Sequence, residues 1–567
     1  MSADGLSSKK IDKNKLNGVV YTPKWIVETI LDNLGYTVNN NIYYKKIIDP
    51  SCGDGAFLKE VVERFITDAL NSNKSISEIK NLLEQNVYGI DIDKNAIELC
   101  RINLTNIAKK YGIHDVNWNL INNDSTDKAW ISKLFKKFDY VVGNPPYIRI
   151  QNLGKEKRNK IQKEWKLCKS GSTDIYIAFF ELGYYLLNDT GKLGYITPNT
   201  YIKTSAGKDL RLFIKNKKIL ELLIDFRHYQ VFENATTYSL ITILSKSYRQ
   251  NKFKLYYGDS NKKIKFIDEI DLNNLNDNNW ILCTNDVLIK IKEIENRGAP
   301  LGKIADIHVG ITTLADSYYI FKDPILKEKT AIIKLKDGRE FEIEKDILKP
   351  IVKASVLKSS DEEQNRYVIF PYKLKNNKHV IIPENELKEK YPLTYNYFLK
   401  IKDILLARDK GKPNPVAWYA FGRSQGLDTS FGKKILTSPL NKKPNFIVWE
   451  KEDYTFYAGY CIKYDGDLYE LAKELNSSDM EFYINHVSRS YQNNYKSYSK
   501  TFIKNFGISN PKIIGKFKNN RTSVKEVNKN GDNYKDKNKN KGKNTKQTTL
   551  TNYLTKADDL LSINTNL

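Results

Sequence analysis

Cysteine, histidine and methionine are scarce in this chain, which contains five, five and two of them among 567 residues. No apolar run approaches the roughly 18 residues of a membrane-spanning helix, and the N-terminus lacks the apolar core of a signal peptide. The cysteines form no Cys-x-x-Cys pair, so neither a disulfide framework nor a zinc site is indicated. They are Cys52, Cys100, Cys168, Cys283 and Cys461. We therefore expect a cytoplasmic protein without a metal centre and without a membrane anchor.

Acidic residues are outnumbered by basic ones, because 67 Asp and Glu stand against 92 Lys and Arg and leave a formal charge of +25. A charge of this size favours binding to a polyanion, and nucleic acid is the natural candidate. The length predicts two or three domains, each large enough to bury its own core. Residues 1–17 are polar, and we expect them to be disordered.

A strand, a glycine-rich turn and a helix are predicted in succession across residues 46–58. Asp49 ends the strand, and Gly53 and Gly55 lie in the turn. Glycines in such a turn let the backbone approach a ligand at a helix N-terminus, although many turns of this kind need glycine for their conformation alone. The turn contains Asp49 and Asp54 but no Lys-Ser/Thr pair, which argues against a phosphate cradle and favours a cationic or hydroxyl-rich ligand.

The next two predicted strands also end in acidic residues. The second strand covers residues 87–93, and a carboxylate at its end is placed to accept both ribose hydroxyls of an adenosine-type ligand. We assign that role to Asp91 and expect Asp93 only to cap the following helix. The third strand ends near Asp124, which could accept the amino group of an adenine ring or lie in an ordinary turn.

The fourth predicted strand covers residues 139–143 and continues into Asn144-Pro145-Pro146-Tyr147. The prolines fix φ and lack an N–H, so the carbonyls there can face a ligand. Asn144 adds a side-chain acceptor and Tyr147 a flat ring, a combination that suits a planar amide or amine. Asn-Pro and Pro-Pro are also ordinary turn formers, and Pro-Pro-Tyr resembles a polyproline ligand of small binding modules. Since ligands of open α/β sheets lie beyond the carboxyl ends of the strands, we expect the four strand ends to share one crevice.

The order of these segments closely resembles the gamma-class (TaqI-like, Eco57I-related) S-adenosylmethionine-dependent DNA adenine-N6 methyltransferases. Residues 49–57 match the family's cofactor loop, residues 144–147 its catalytic motif, and Val-Val-Tyr-Thr-Pro at 19–23 its N-terminal segment. The resemblance implies an α/β fold with a Rossmann-like class I methyltransferase domain over residues 18–250. It also implies S-adenosylmethionine as cofactor, no metal, and a type II restriction-modification system or a solitary methylase as context.

The resemblance further implies a role for each residue that matches a family motif. Asn144 and Pro145 would hold the N6 amine of an adenine rotated out of the duplex, and Tyr147 and Phe232 would stack on that base. Phe179 would pack against the cofactor adenine, although an aromatic residue on a helix more often belongs to the core. The residues expected to bind the cofactor are Tyr21, Thr22, Pro23, Asp49, Ser51, Gly53, Gly55, Asp91, Asp124 and Phe179. The alternative for Thr22 is to cap the first helix, with Pro23 at its first position.

From about residue 260, short strands and Asn/Lys-rich turns replace the regular alternation of strands and helices. Residues 310–313 resemble the opening of the family's target-recognition region, which we place at 260–515 as a mixed α/β domain that binds double-stranded DNA. Basic and aromatic residues interleave there and suit contacts with phosphates and bases, although a solvated basic surface is the alternative for each one. They are Lys353, Lys358, Arg366, Tyr372, Arg408, Trp418, Tyr419, Arg423, Lys433 and Lys434.

Residues 516–567 contain too few apolar side chains to bury a core, and we expect a disordered Lys/Asn-rich tail. Within its segment 547–554, three apolar side chains would share one short helical turn. The segment resembles the motif by which archaeal, eukaryotic and viral proteins bind the replication sliding clamp, through Gln547, Leu550, Tyr553 and Leu554. A nondescript C-terminal segment is the alternative, because chance matches to so short a pattern are frequent.

Two other functions are compatible with the sequence. The tetrapeptide 144–147 presents acceptors to any planar NH2 group, so RNA or a protein glutamine could be the substrate. A non-catalytic DNA-binding scaffold could keep the fold without turnover. The basic region after the catalytic domain, together with Phe232, favours DNA. Only about 17 residues precede the first family segment, too few for a nuclease domain, so we expect any cognate restriction endonuclease to be a separate chain.

Overall fold

The computed structural model describes residues 22–169, 173–227, 229–232, 237–489 and 491–513. The expectations for residues 1–17, for Tyr21 and for residues 516–567 with their clamp-like motif lie outside this part of the chain. The main feature is a sheet of nine strands. They are β1 (Ile47–Asp49), β2 (Val87–Asp91), β3 (Asn119–Asn122), β4 (Phe138–Gly143), β5 (Leu187–Pro198), β6 (Leu220–Asp225), β7 (Ser239–Ser245), β8 (Lys252–Gly258) and β9 (Ile264–Asp271).

The strands of this sheet lie in the order β3-β2-β1-β4-β5-β7-β6-β8-β9. The first five in that order are parallel, whereas β7 runs antiparallel to both β5 and β6. The chain moves outward from β1 to β3 in one direction and outward from β4 in the other. Loops diverge at such a switch point and open a crevice at the carboxyl edge of the sheet. The predicted Rossmann-like α/β fold is confirmed.

Helices cover both faces of this sheet. They are α1 (Lys24–Leu34), α2 (Ala56–Asn71), α3 (Ile76–Asn86), α4 (Lys94–Lys110), α5 (Lys128–Ile131), α6 (Lys155–Glu164), α7 (Tyr176–Leu186), α8 (Thr200–Lys203) and α9 (Lys208–Lys217). Consecutive strand residues point to opposite faces. Ile47 and Val142 therefore lie in one core with α1 and α2, while Ile48 and Val141 lie in the other core with α7. Burial on both faces explains the almost continuously apolar strands.

The sheet continues past residue 250, where we expected the catalytic domain to end, because β8 and β9 join its edge beside β6. The fully buried Arg211 on α9 donates to the carbonyls of Thr204 at 2.8 Å and Asp277 at 3.2 Å. Trp280 is buried in the core that α7 forms with the nine-stranded sheet. The packing of this half therefore reaches at least to residue 280, and the domain boundary itself stays a prediction.

Residues 285–513 form smaller sheets and helices around further clusters of buried side chains. The strands of this region are β10 (Ala299–Pro300), β11 (Asp306–Val309), β12 (Ile320–Lys322), β13 (Ile325–Leu326), β14 (Thr330–Lys334), β15 (Glu340–Glu344), β16 (Leu348–Lys353), β17 (Arg366–Ile369), β18 (Tyr372–Lys375), β19 (Lys378–Ile381), β20 (Lys434–Thr437), β21 (Leu440–Asn441), β22 (Phe446–Trp449), β23 (Thr455–Tyr457), β24 (Tyr460–Lys463), β25 (Lys496–Ser497) and β26 (Gly507–Ile508). Two sheets have four strands, in the orders β11-β24-β20-β22 and β12-β17-β16-β23.

The helices of this second half are mostly short. They are α10 (Asn285–Asn296), α11 (Leu301–Ile304), α12 (Asp316–Tyr319), α13 (Glu384–Lys390), α14 (Pro392–Lys400), α15 (Lys402–Leu406), α16 (Arg408–Gly411), α17 (Leu468–Leu475), α18 (Ser478–Val487) and α19 (Lys500–Ile503). Among the described residues, no helix combines the length and the apolar character needed to cross a membrane.

Helix α10 joins the two halves. Leu288 packs into a core of the nine-stranded sheet, whereas Ile291 and Ile294 belong to a core of the second half. At the start of the helix, the main-chain N–H of Asn285 donates to Asp268 on β9 at 2.8 Å. A single helix buried in both cores fixes the position of the second half relative to the crevice.

Four basic and aromatic residues that we expected to face DNA lie in the interior instead. Arg408 is buried, and its guanidinium donates to four main-chain carbonyls at 2.8–2.9 Å. Tyr372 and Tyr419 are buried with hydroxyls that are hydrogen-bonded to the main chain. Lys434 is fully buried, and its Nζ donates to carbonyls at 2.7 and 2.9 Å. These buried side chains form hydrogen bonds with main-chain groups of irregular loops. The sequence pattern does not distinguish a buried residue of this kind from an exposed one.

Candidate active site at the carboxyl edge of the sheet

The ends of β1 and β4 lie side by side at the switch point. Gly143 closes β4 with a φ of +152°, and a Cβ atom there would lie 2.7 Å from Oδ1 of Asp49. The N–H of Gly53 donates to Asp91 at 2.9 Å, and the hydroxyl of Ser125 donates to a carbonyl of the β1 loop at 2.6 Å. The structure therefore brings the first four strand ends together around one crevice.

Asp49 is 1% exposed, and its Oδ1 accepts the N–H of Ser51 at 2.9 Å. Burial removes its carboxylate from water and raises its pKa to about 8, against the lowering effect of the hydrogen bond from the Ser51 N–H. Asp49 is therefore mostly protonated at neutral pH. The hydroxyl oxygen of Ser51 is also buried and has no hydrogen-bond partner among the described residues. Such a group suits a polar ligand at this loop.

The glycines of the loop are required by the geometry. Gly53 and Gly55 adopt φ values of +53° and +90°, in the region that side chains disfavour. A Cβ on Gly55 would also lie 2.8 Å from Sγ of Cys100. Gly55 precedes α2, and no described side chain caps that helix. The first N–H groups of α2 therefore stay available to a ligand or water.

Asp91 and Asp93 differ in their contacts, as the sequence led us to expect. Asp93 caps α4 by accepting the N–H of Asn95 at 2.8 Å. Asp91 uses one oxygen for the N–H of Gly53 and the other for the N–H of Asp93, both at 2.9 Å. These bonds hold the carboxylate of Asp91 at the crevice, and each oxygen keeps acceptor capacity for a hydroxyl group.

Asp124 lies in a tight turn after β3. It accepts the N–H and the hydroxyl of Thr126 at 2.9 and 2.6 Å and pairs with Lys157 at 3.0 Å. Burial opposes the ionisation of Asp124, but these hydrogen bonds and the lysine charge prevail and lower its pKa. Asp124 therefore lies in a turn, as the alternative interpretation of the sequence predicted. The role of Asp124 in binding a ligand stays a prediction.

The side chain of Asn144 is oriented by the segment that precedes α1. Its Nδ2 donates to the hydroxyl of Thr22 at 3.1 Å, and Thr22 is 4% exposed. The suggested capping role of Thr22 is wrong, because α1 begins at Lys24, Pro23 occupies the cap position and no side chain of the described residues caps the helix. Thr22 instead contacts the motif that follows β4, 122 residues later in the chain.

The ring of Tyr147, three residues after Asn144, contacts two other aromatic rings. Tyr147 is half-buried, with ring centroids 6.4 Å from Tyr176 and 6.3 Å from Phe232 in edge-to-face geometry. Burial raises the pKa of Tyr147 well above its usual value, so it is a neutral ring at any physiological pH. Phe232 is 2% exposed, and Phe179 on α7 is 4% exposed and part of a core cluster. Tyr147 is therefore the most accessible of these candidate rings.

Two further residues at the carboxyl edge of the sheet were not predicted from the sequence. Ile92, directly after Asp91, is 63% exposed, an unusual state for an isoleucine at a strand end. Thr197 near the end of β5 is fully buried, and its hydroxyl has no hydrogen-bond partner among the described residues. An aliphatic residue between two acids was the sequence feature that could have indicated Ile92. No sequence feature indicated Thr197, because β4, which lies beside it in the sheet, is distant in sequence.

Comparisons with known proteins show which families and proteins this chain resembles. Residues 85–232 match the family described as Eco57I restriction-modification methylase, and this span includes Asp91, residues 144–147 and Phe232. The chain is 31% identical over 480 residues to the type II restriction enzyme and methyltransferase RM.Eco57I of Escherichia coli, across 72% of this chain and 48% of that protein. The chain thus spans about half the length of that relative.

Two other similarities extend over most of the chain. It is 26% identical over 548 residues to the type II methyltransferase M.BstVI of Geobacillus stearothermophilus, across 88% of this chain and 91% of that one. The solved structure of the type IIL restriction-modification enzyme MmeI in complex with DNA has a TM-score of 0.52 at 13% identity, across 88% of this chain and 65% of that one. The structural likeness supports the fold alone.

The burial of Asp49 predicts a pH-dependent stability difference between the protein and an Asp49→Asn variant. An aspartate of an unfolded chain titrates near pH 4, and Asp49 in the folded chain near 8. The folded state thus holds an extra proton between these values, so the contribution of Asp49 is fully present below about pH 4 and is lost as pH rises to 8. An asparagine at position 49 does not titrate, so the variant does not lose this stability as pH rises.

We expect the free energy of unfolding of Asp49→Asn, minus that of the protein, to grow by about 3 kcal/mol or more between pH 4 and 8. Urea denaturation at several pH values measures it. A difference for Asp49→Asn that does not change with pH would contradict the buried, protonated carboxyl.

Proposed function

We propose that this chain, whose residues 85–232 match the Eco57I restriction-modification methylases, transfers a methyl group from S-adenosylmethionine to N6 of adenine in double-stranded DNA. The observation that carries the proposal is the hydrogen bond from Asn144 Nδ2 to Thr22. It orients the amide so that its oxygen points away from Thr22, in a motif whose next residue, Pro145, has a carbonyl but no N–H.

The amide oxygen of Asn144 and the carbonyl of Pro145 can accept the two hydrogens of an exocyclic amine. Adenine N6 is a weak nucleophile, because its lone pair is delocalised into the ring. Two acceptors hold the hydrogens, localise that pair and aim it at the methyl group. No strong base is needed at first, since N6 becomes acidic only as the bond from N6 to the methyl carbon forms and the bond from that carbon to sulfur breaks. The proton released from N6 then passes by way of one of the two acceptors to water, and S-adenosylhomocysteine is the leaving group.

Tyr147 is the ring that a base rotated out of the duplex would reach first. It is half-buried, while Phe232 beside it is 2% exposed and meets it edge-on. In this arrangement Tyr147 stacks on the base and Phe232 supports Tyr147 from the side. Stacking of about 1–3 kcal/mol repays part of the energy needed to unpair the base.

The loops after β1 and β2 fit S-adenosylmethionine, which supplies an electrophilic methyl group on a sulfonium cation. Gly53 and Gly55 let the backbone approach the ligand, and the Ser51 hydroxyl has no other partner among the described residues. Asp91 is held where it can accept ribose hydroxyls. The exposed Ile92, directly after Asp91, would offer an apolar surface to the adenine ring.

The basic charge of the chain suits a nucleic acid, and the type II restriction-modification methyltransferases among its relatives favour DNA over RNA. The names of RM.Eco57I and M.BstVI support methylation within a type II restriction-modification system, and we propose that context here. A cognate nuclease would then act as a partner or as a linked domain, as the name of RM.Eco57I suggests. The clamp-binding motif at 547–554 stays a prediction.

Labelled S-adenosylmethionine offered with duplex DNA, RNA or protein tests the substrate class. We expect label in the duplex alone, recovered as N6-methyladenine after digestion to nucleosides. Label in RNA or in protein glutamine would replace the proposal with the alternative that uses the same acceptors. No transfer to any of the three would favour a non-catalytic DNA-binding scaffold.

Asn144→Ala removes one acceptor and should reduce the methylation rate by about 100-fold or more, because its amide acts on the reacting amine. Duplex binding in a mobility-shift assay should change little. Asn188→Ala is the matched control, since Asn188 contacts Asp139 at 3.1 Å near the opposite end of β4 and should leave the rate unchanged. Methylation that survives Asn144→Ala would exclude Asn144 as the acceptor.

The two acids after β2 provide a second matched pair. Asp91→Ala removes the proposed ribose acceptor and should weaken cofactor binding by about tenfold or more in calorimetry. Asp93→Ala removes a helix cap and should lower the free energy of unfolding by about 1 kcal/mol without weakening cofactor binding. Equal effects of both changes on cofactor affinity would refute the assignment of Asp91.

A further inference from the structure

A short hairpin in the second half of the chain carries basic residues at its tip. β18 pairs with β19, and Lys375 lies directly opposite Lys378 across a turn of two residues. Both turn residues have a positive φ, +52° at Asn376 and +58° at Asn377, which is the pattern of a type I′ turn. This turn matches the twist of a two-stranded ribbon. All four residues are exposed, so the hairpin presents a defined polar tip to solvent.

The base of the hairpin is held by residues from other segments. The N–H of His379 donates to the carboxylate of Asp428 at 2.7 Å, and the rings of His379 and Phe431 stack with centroids 5.2 Å apart. On the other strand, the hydroxyl of the buried Tyr372 accepts the N–H of Phe421 at 2.7 Å. Because both strands are fixed at the base, the fold determines the position of the tip.

The same contacts attach the hairpin to the segment that is expected to open the target-recognition region. Gly422 follows Phe421, and its N–H donates to the carbonyl of Thr313 at 2.9 Å. Thr313 belongs to residues 310–313, which resemble that opening segment. The hairpin thus lies in the part of the chain for which the family resemblance implies DNA binding, although its tip residues were not among those expected to contact DNA.

The charge on one face of the hairpin is only partly balanced. Directly opposite residues of an antiparallel pair share a face, so Lys373, Lys375 and Lys378 lie together. Lys373 forms an ion pair with Glu386 on α13. Neither of the two lysines at the tip has an acid at ion-pair distance among the described residues. Like charges directly opposite each other destabilise a hairpin, and a bound anion offsets that cost.

The opposite face of the hairpin favours a groove of DNA over a flat surface of phosphates. Leu374 lies on that face and is 65% exposed. An apolar side chain gains little beside phosphates, but it can contact the methyl group of thymine, which the major groove presents. The major groove of an RNA duplex is too deep and narrow for side chains to read. The tip therefore combines charge for a backbone with polar and apolar groups for bases.

We propose that the tip of this hairpin enters the major groove of the DNA duplex. The two lysines bind backbone phosphates there, and the side chains of Asn376 and Asn377 contact base edges. The inference rests on the proposed function and deepens it, because it names residues that select the DNA sequence to be methylated. The major groove admits a two-stranded ribbon, lysine suits phosphate as a compact charge, and an asparagine amide donates and accepts at one base edge.

The salt dependence of duplex binding tests the two lysines. The logarithm of affinity falls linearly with the logarithm of salt concentration, and the slope loses about 0.9 for each phosphate contact removed. We expect the double variant Lys375→Ala, Lys378→Ala to lose about 1.8 of the slope, in fluorescence anisotropy with a plasmid fragment that the unaltered protein methylates. The double variant Lys375→Arg, Lys378→Arg keeps both charges and should keep the slope.

The double variant Lys327→Ala, Lys334→Ala is the matched control. Both lysines are exposed near the ends of β14, where Lys327 pairs with Glu342 at 2.8 Å and Lys334 with Glu340 at 3.2 Å. Because these charges are already balanced by acids, their removal should leave the slope unchanged. An equal loss of slope in the control would mean that any exposed lysine of this half contributes, and it would overturn the proposal.

Replacing each asparagine by glycine tests the contacts with base edges. Glycine adopts positive φ without strain, so Asn376→Gly and Asn377→Gly keep the turn and remove the amide. We expect each variant to keep the salt slope but to lower, by about tenfold, the ratio of affinities for the methylated fragment and for an equally long fragment that the protein does not methylate. A full slope in the double alanine variant of the tip, or a full ratio in both glycine variants, would overturn the proposal.

The failure of this proposal is distinguishable from that of the proposed function. If the unaltered protein methylates the fragment but all variants keep its slope and its affinity ratio, the hairpin contact is refuted and the methyltransferase assignment stands. If the unaltered protein methylates no DNA, the proposed function itself fails. An unchanged duplex slope with weaker binding of RNA would assign the hairpin to RNA and overturn the proposal. Melting temperatures within about 2 °C of the unaltered protein would show that each variant retains the fold.

Discussion

The close approach of β1 and β4 at the switch point is the constraint on which the crevice depends. Asp49 fills the space that a side chain at position 143 would occupy, with Oδ1 only 2.7 Å from where that Cβ would lie. Glycine at the end of β4 therefore allows a buried carboxyl group, and burial makes that group neutral. This contact sets the separation between the β1 loop and residues 144–147, the two segments assigned to cofactor and substrate.

Long polar side chains stabilise the molecule away from the crevice. Arg211 and Arg408 are buried, and the guanidinium group of each donates hydrogen bonds to main-chain carbonyls of loops and turns. Lys434 does the same inside the second half. Part of the positive charge of the chain is therefore buried and bonded to main-chain carbonyls. Only the Lys and Arg residues at the surface are available to bind a polyanion.

The sequence predicted the strand–loop segments of the catalytic half well, because each short apolar segment ends in a distinctive polar loop. The distinction between Asp91 and Asp93 also followed from local capping chemistry. Thr22 shows where such reasoning failed, since a hydroxyl before a helix is a usual cap but here contacts Asn144. The same limitation applies to Arg408 and Lys434, whose partners are main-chain groups that no periodicity reveals.

The amino-acid sequence by itself determined the α/β class, the order of the motif-bearing loops and the residue types available for chemistry, because these depend on short-range periodicity and on local turn geometry. Only the tertiary structure decided that Thr22 orients Asn144, that Ile92 is left exposed after β2, and that Arg408 and Lys434 are buried. Those facts depend on contacts between residues far apart in the chain, 122 positions for Thr22 and Asn144, which the packing of the sheets and helices brings together.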